Sequence, residues 1–184
     1  MMHYGFKADF LQIIVYICGL HDFDPMKITL LTVGKTDKDW VKQGLDIYVS
    51  RLKHYIPFSI VEIPELKGVS ALTKDQIKTR EGELILKNIR PADDLILLDE
   101  HGKEYTSVEW AKILQDKISY TGKDMVFVIG GAYGFSESVY KRADSKISLS
   151  RMTFSHQMVR AIFTEQLYRA FTIMKGEPYH HEQR

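Results

Sequence analysis

Three short stretches of this chain carry residue types able to do chemistry. Val126–Phe135, VFVIGGAYGF, runs an apolar strand pattern into Gly130, Gly131 and Gly134. Such glycines let a backbone turn sharply and come close to a ligand. Ser150–Ser155, SRMTFS, is a compact polar loop between a short strand pattern and a long amphipathic stretch. The C-terminal GEPYHHEQR places Tyr179, His180 and His181 just past Gly176 and Pro178. Read alone, that tail is a frayed chain end.

Phosphate binding is the first chemistry a glycine loop suggests, and the spacing argues against it. A dinucleotide fingerprint needs G-x-G-x-x-G and an acidic residue about 20 positions on, at the end of the next strand. Here the order is G-G-x-x-G, and the next strand pattern ends in Leu149-Ser150. The phosphate-loop motif G-x-x-x-x-G-K-[ST] is absent.

The surrounding pattern says which elements must position these loops. Strands are expected at 26–33, 58–63, 94–99, 125–130 and 146–150, in apolar or β-branched runs. Helices are expected between them. One is capped by Asp37, with Trp40, Val41, Leu45, Tyr48 and Leu52 on one face. Two open with capping boxes, Thr73 with Gln76 and Thr106 with Glu109. Ser136 caps a short one, and a long one runs from about His156 to Met174 with Ile162, Leu167, Ala170, Phe171 and Met174 suited to burial. Arg160 and Arg169 are expected elsewhere on its surface. Alternating strands and helices with continuous apolar middle strands predict an α/β fold. Its parallel-dominated sheet has five to six strands and helices on both faces. Ligands in such sheets sit beyond the carboxyl ends of the strands. DEHGK, GGAYG and SRMTFS all fall there.

Composition bounds the partners. The 184 residues suffice for one core, and the hydrophobic fraction of 45% and charged fraction of 27% are ordinary for a globular protein. A net charge of +1 predicts no polyanion partner from bulk charge alone. One cysteine, Cys18, excludes a disulfide framework or zinc cluster within the chain and fits a reducing cytoplasm. The apolar run Phe10–Leu20 is about half the ~20 residues a membrane-spanning helix needs. A fresh pattern begins at Met26, so residues 1–25 are expected to be an extension outside a single domain, 26–184.

Five blocks taken together are far more specific than any single loop. MKITLLTVGK, LLDEHGK, FVIGGAYG, LSRMTFSHQMVRAIFTEQLYRAF and EPYH resemble, in order and spacing, the SPOUT-class methyltransferases of the RlmH type. These small bacterial enzymes methylate N3 of a pseudouridine in 23S ribosomal RNA. The resemblance runs from Met26 to about His180. It implies a C-terminal trefoil knot, which periodicity does not predict because true knots break the usual rules of chain connection. It also implies S-adenosyl-L-methionine as methyl donor, a homodimer, and 23S rRNA within the ribosome as partner, with no membrane and no metal.

Carried over by position, the donor contacts implied are Leu98, Gly130 and the run Leu149, Ser150, Arg151, Met152, Thr153 and Phe154. The donor has no phosphate, and its adenine calls for an apolar slot with backbone hydrogen bonds. The acceptor is a uracil-type nitrogen that must lose its proton. Arg160 is the candidate to hold the developing anion or an adjacent phosphate, Tyr179 to stack on or hydrogen-bond the base, and His180 to take the proton. His156 is a weaker candidate, better read as packing at a helix start, and His181 reads as solvated. Between Lys141 and Arg184 eight Lys/Arg face four acids, a local surplus suited to positioning RNA. Two rival readings are a related enzyme with another RNA target and a nucleotide-binding module without catalysis. The Tyr-His tail separates the second, because a mere binder has no need of it.

Overall fold

The computed structural model describes residues 26–180. The expectations for residues 1–25 and for His181 lie outside the described residues. The chain alternates β1 (Ile28–Val33), α1 (Asp39–Leu52), β2 (Phe58–Ile63), α2 (Lys74–Lys87), β3 (Asp94–Glu104), α3 (Ser107–Tyr120), β4 (Met125–Ile129), α4 (Glu137–Arg142), β5 (Ser145–Ser148) and α5 (Met158–Lys175). The strands form one sheet in the order β2-β1-β4-β3-β5, and every pairing is parallel.

Strand alternation builds a core on each face of that sheet. Ile28 and Leu30 of β1, Ile96 of β3 and Met125, Phe127 and Ile129 of β4 meet Leu52, Trp110, Leu114, Phe163 and Leu167 from α1, α3 and α5. The intervening residues Leu31, Val33, Leu95, Leu97, Val126 and Val128 meet Ile85 and Val139 from α2 and α4. With both faces covered, β4 is buried at all five positions, which is why it reads as an unbroken apolar run.

Local signals set most helix starts. Both capping boxes form, and the Ser136 hydroxyl accepts from the Val139 N–H. Asp37 is the exception. The helix starts at Asp39 after Lys38, with no side-chain cap. The Asp37 N–H instead donates to Gln157 Oε1 (3.2 Å) and the Gln157 amide donates to the Lys35 carbonyl (2.9 Å), so the loop is tied to the start of α5. The buried stripe of α1 is Val41, Leu45 and Leu52, while Trp40, one residue and about 100° round the helix, is exposed.

Two other boundaries move. β3 continues to Glu104: after an irregular excursion beyond Leu98, Lys103 and Glu104 return to pair with Ile147 and Ser148. Gly102 permits this, because a Cβ there would lie 2.7 Å from the backbone nitrogens of Ile147 and Ser148. β5 ends at Ser148, which releases Leu149 and Ser150 into the loop that follows. Among the described residues no helix is long and apolar enough to cross a membrane.

Candidate active site

Because all five strands run the same way, their carboxyl ends share one edge of the sheet. There the segments after β4 and β5 and the excursion within β3 enclose a cavity of about 670 Å³, a size ordinary for a small-molecule site. Leu98, Gly130, Leu149, Ser150, Met152, Thr153 and Phe154 line it, so seven of the eight expected donor contacts come together. Arg151 does not join them. Its side chain is 89% exposed and pairs with Glu104 at 3.0 Å.

The glycine loop is a tight turn. The Gly134 N–H donates to the Gly131 carbonyl (3.2 Å) and Gly134 sits at φ +79°, which leaves Ala132 and Tyr133 at the tip. The missing side chain of Gly130 points at the Phe135 ring, 3.1 Å from where a Cβ would lie. A larger residue there presses on Phe135 and the core beneath it, so Gly130→Val is not a clean probe of the cavity. The missing side chain of Gly131 faces the carboxylate of Glu81 on α2. One oxygen of that carboxylate, Oε2, is buried without a hydrogen-bond partner. Burial, with the charge of Glu65 adding to it, raises the Glu81 carboxyl above the usual range.

The opposite wall is anionic. Asp99 accepts from the Tyr140 hydroxyl (2.5 Å) and the His101 backbone N–H (2.8 Å), and its Oδ1 lies 3.2 Å from His101 Nδ1. Burial alone would raise its carboxyl, but these hydrogen bonds hold it below the ordinary value. Glu100 accepts from the Thr153 hydroxyl (3.0 Å). The lysine on the lining, Lys78, is paired with Asp75 at 2.8 Å. An anionic wall, half-buried leucines and no free basic clamp suit a cationic, apolar-bodied ligand and disfavour a polyphosphate. Asp99, Glu100 and Tyr140 were not singled out by the sequence, although the DEHGK segment carrying the two carboxylates was; Tyr140 lies on α4. Among the described residues no group of three or more His, Cys, Asp or Glu is placed to hold a metal ion.

Arg160 is not on the surface of α5, and its placement corrects that expectation. It is fully buried. Its guanidinium donates to the His156 carbonyl (2.9 Å), the Thr36 hydroxyl (2.8 Å) and the Val33 carbonyl (2.9 Å), and lies 3.5 Å from Glu62. Desolvation lowers its pKa from the usual arginine value against the attraction of Glu62, Asp37 and Glu65, and Glu62 in turn takes two hydrogen bonds from Thr36. Arg160 therefore ties the end of β1 to the start of α5, directly after the cavity-lining loop.

Tyr179 and His180 stand apart from both Arg160 and the cavity lining. The described start of the tail, Glu177 to Tyr179, is anchored: Glu177 accepts from the Tyr55 hydroxyl (2.5 Å). The Tyr179 hydroxyl donates to Glu165 (3.1 Å) and lies 3.4 Å from the Tyr48 hydroxyl. Arg169 pairs with Glu165 and places its guanidinium 4.9 Å from the Tyr179 ring centroid. Burial, then the Tyr48 and Glu165 contacts, push the Tyr179 pKa well above its ordinary value, so it keeps its proton and serves as a donor. The cation beside Tyr179 is thus Arg169, nine residues and about 13 Å along the helix from Arg160. Its i,i+4 spacing from Glu165 was the available signal.

A family model described as a predicted SPOUT methyltransferase matches residues 26–180. The chain is 55% identical over 157 residues to a protein of Parabacteroides distasonis named ribosomal RNA large subunit methyltransferase H, covering 85% of this chain and all of the relative. Proteins of the same name from Christiangramia forsetii and Bacteroides thetaiotaomicron are 56% and 54% identical over 85% of this chain and 99% and 100% of their own lengths.

Two outcomes follow from this geometry. Arg160→Met leaves two buried acceptors, the Val33 carbonyl and the Thr36 hydroxyl, without their donor and should cost about 3–5 kcal/mol in chemical unfolding. Arg160→Lys, which keeps the charge but not the fork, should recover only part of that. A Met variant as stable as the parent would contradict the clamp. Glu81→Gln tests the buried carboxylate. The folded state holds the Glu81 proton more tightly than the unfolded chain, so the ionised form costs stability, and the cost grows as pH rises through the raised pKa. The Gln variant should melt higher than the parent near neutral pH, with the difference vanishing below about pH 4. Equal melting across that range would contradict the placement.

Proposed function

This chain belongs to the SPOUT methyltransferase family, and on that premise we propose that it methylates N3 of a pseudouridine in 23S ribosomal RNA, on the ribosome in the cytoplasm, with S-adenosyl-L-methionine as donor. The observation that carries this reading is the single cavity built by three loops beyond the strand ends, apolar and anionic where a phosphate site would be basic. Relatives named for this class of reaction, matched along nearly their whole lengths, support it. The trefoil knot is part of the same proposal.

The bound donor supplies an electrophilic methyl group on a sulfonium centre. Leu98, Leu149 and Phe154 form the apolar slot for its adenosyl part, and peptide groups of the glycine loop and of Ser150–Thr153 supply hydrogen bonds. The carboxylates of Asp99 and Glu100 complement its positive charge. Positioning provides much of the rate of an in-line displacement. N3 of the base loses its proton and forms the N–CH3 bond as the S–CH3 bond breaks, leaving a neutral thioether. Arg169 stabilises the developing imide anion, Tyr179 donates a hydrogen bond, and His180 receives the proton.

These acceptor groups lie on the far part of α5 from the cavity of their own chain. We therefore place the complete site across a homodimer, with Tyr179 and His180 of one chain completing the cavity of the other. The test combines substrate and geometry. Ribosomes lacking the modification are incubated with methyl-labelled donor and the label is mapped in the rRNA. The expected result is one labelled uracil-type N3 in 23S rRNA; label in another RNA, or none, overturns the substrate. Next, Leu149→Trp, which fills the cavity, and His180→Ala, each inactive alone, are mixed under subunit exchange. Mixed dimers should regain up to one intact site in two. No recovery in demonstrated mixed dimers places the whole site within one chain.

A further inference from the structure

The two rims of the cavity differ in charge and in what they leave exposed. On one side, Asp99 and Glu100 are occupied by Tyr140, His101 and Thr153. On the other, the glycine turn lifts Tyr133 to its tip, 45% exposed, at the cavity mouth. The ring contributes to neither hydrophobic core. Lys74, at the start of α2, lies 5.7 Å from the ring centroid. Lys78, one turn further on the same helix, is held by Asp75 and takes no part. An aromatic face held out by a rigid turn, with a lysine beside it, is the combination that single-stranded nucleic acid sites use for a base and its phosphates.

We propose that Tyr133 is a stacking platform for an unpaired base of the RNA strand at the mouth of the cavity, with Lys74 contacting a flanking phosphate. This inference rests on the RNA methyltransferase reading above. A pseudouridine whose N3 reaches the cavity must leave its own stack, and the bases at the opening lose a neighbour. The Tyr133 ring replaces that neighbour, and Lys74 strengthens the contact by charge and holds the ring from one side.

The measurement is steady-state methylation of ribosomes lacking the modification, with donor affinity followed separately by calorimetry. Tyr133→Ala should raise the KM for ribosomes about tenfold or more. It should leave the donor Kd and the melting temperature at parental values. Tyr133→Phe, which keeps the ring, should restore most of the lost affinity. Tyr120→Ala, which removes a tyrosine 84% exposed at the end of α3, is the control and should leave KM unchanged. Lys74→Gln should reduce the salt dependence of ribosome binding by about one unit of slope. An unchanged KM in Tyr133→Ala overturns the platform, as does a weakened donor Kd with KM for ribosomes intact, which would assign the ring to the donor. If the parent protein binds donor but transfers no methyl group to rRNA, the underlying reading fails and this inference falls with it.

Discussion

A buried guanidinium holds the working edge of the sheet together. Arg160 carries its charge into the interior, where it is held by two backbone carbonyls, a threonine hydroxyl and a nearby carboxylate. An arginine is suited to this because its donors point in fixed, diverging directions and each finds an acceptor. Its acceptors come from the end of β1, the loop after it and the turn before α5. The loop lining the cavity ends where this clamp begins. Beside the clamp, Gln157 ties down the loop before α1, so Asp37 does not cap that helix, which starts at Asp39.

The cavity combines this scaffold with an electrostatic choice. In a parallel sheet the strand ends are a natural place for ligands, and many α/β proteins use the positive ends of helices there to hold phosphate. Here the wall supplied by Asp99 and Glu100 is negative, and the lysine that reaches the lining is already paired. The glycines serve the path of the chain. Gly134 takes a positive φ to close the turn, and Gly102 lets one strand return to its neighbour.

How much of this was legible in the sequence depended on how local each cause was. The capping boxes at Thr73 and Thr106 and the buried run of β4 follow from neighbouring residues, and they appear where expected. The seven cavity residues were reached through the resemblance and the loop positions. Arg160 was misplaced because helical periodicity treats an arginine as a surface residue. Only the distant Val33, Thr36 and Glu62, brought in by the fold, make its burial tolerable. Arg169 was overlooked for the converse reason: its partnership with Tyr179 depends on the chain returning towards α5 after Gly176. Arg151 belonged to the right loop but turned outward to Glu104, a choice between loop side chains that spacing does not encode.

On the proposed function, the three loops form one site for a cationic methyl donor rather than for a nucleotide phosphate. Calorimetric titration of the purified protein with S-adenosyl-L-methionine, alone and in the presence of excess ATP or NAD, tests it most directly. Saturable binding of one donor per chain, undiminished by either nucleotide, is the predicted result. Absence of donor binding by folded protein, or displacement of the donor by NAD or ATP, would contradict it.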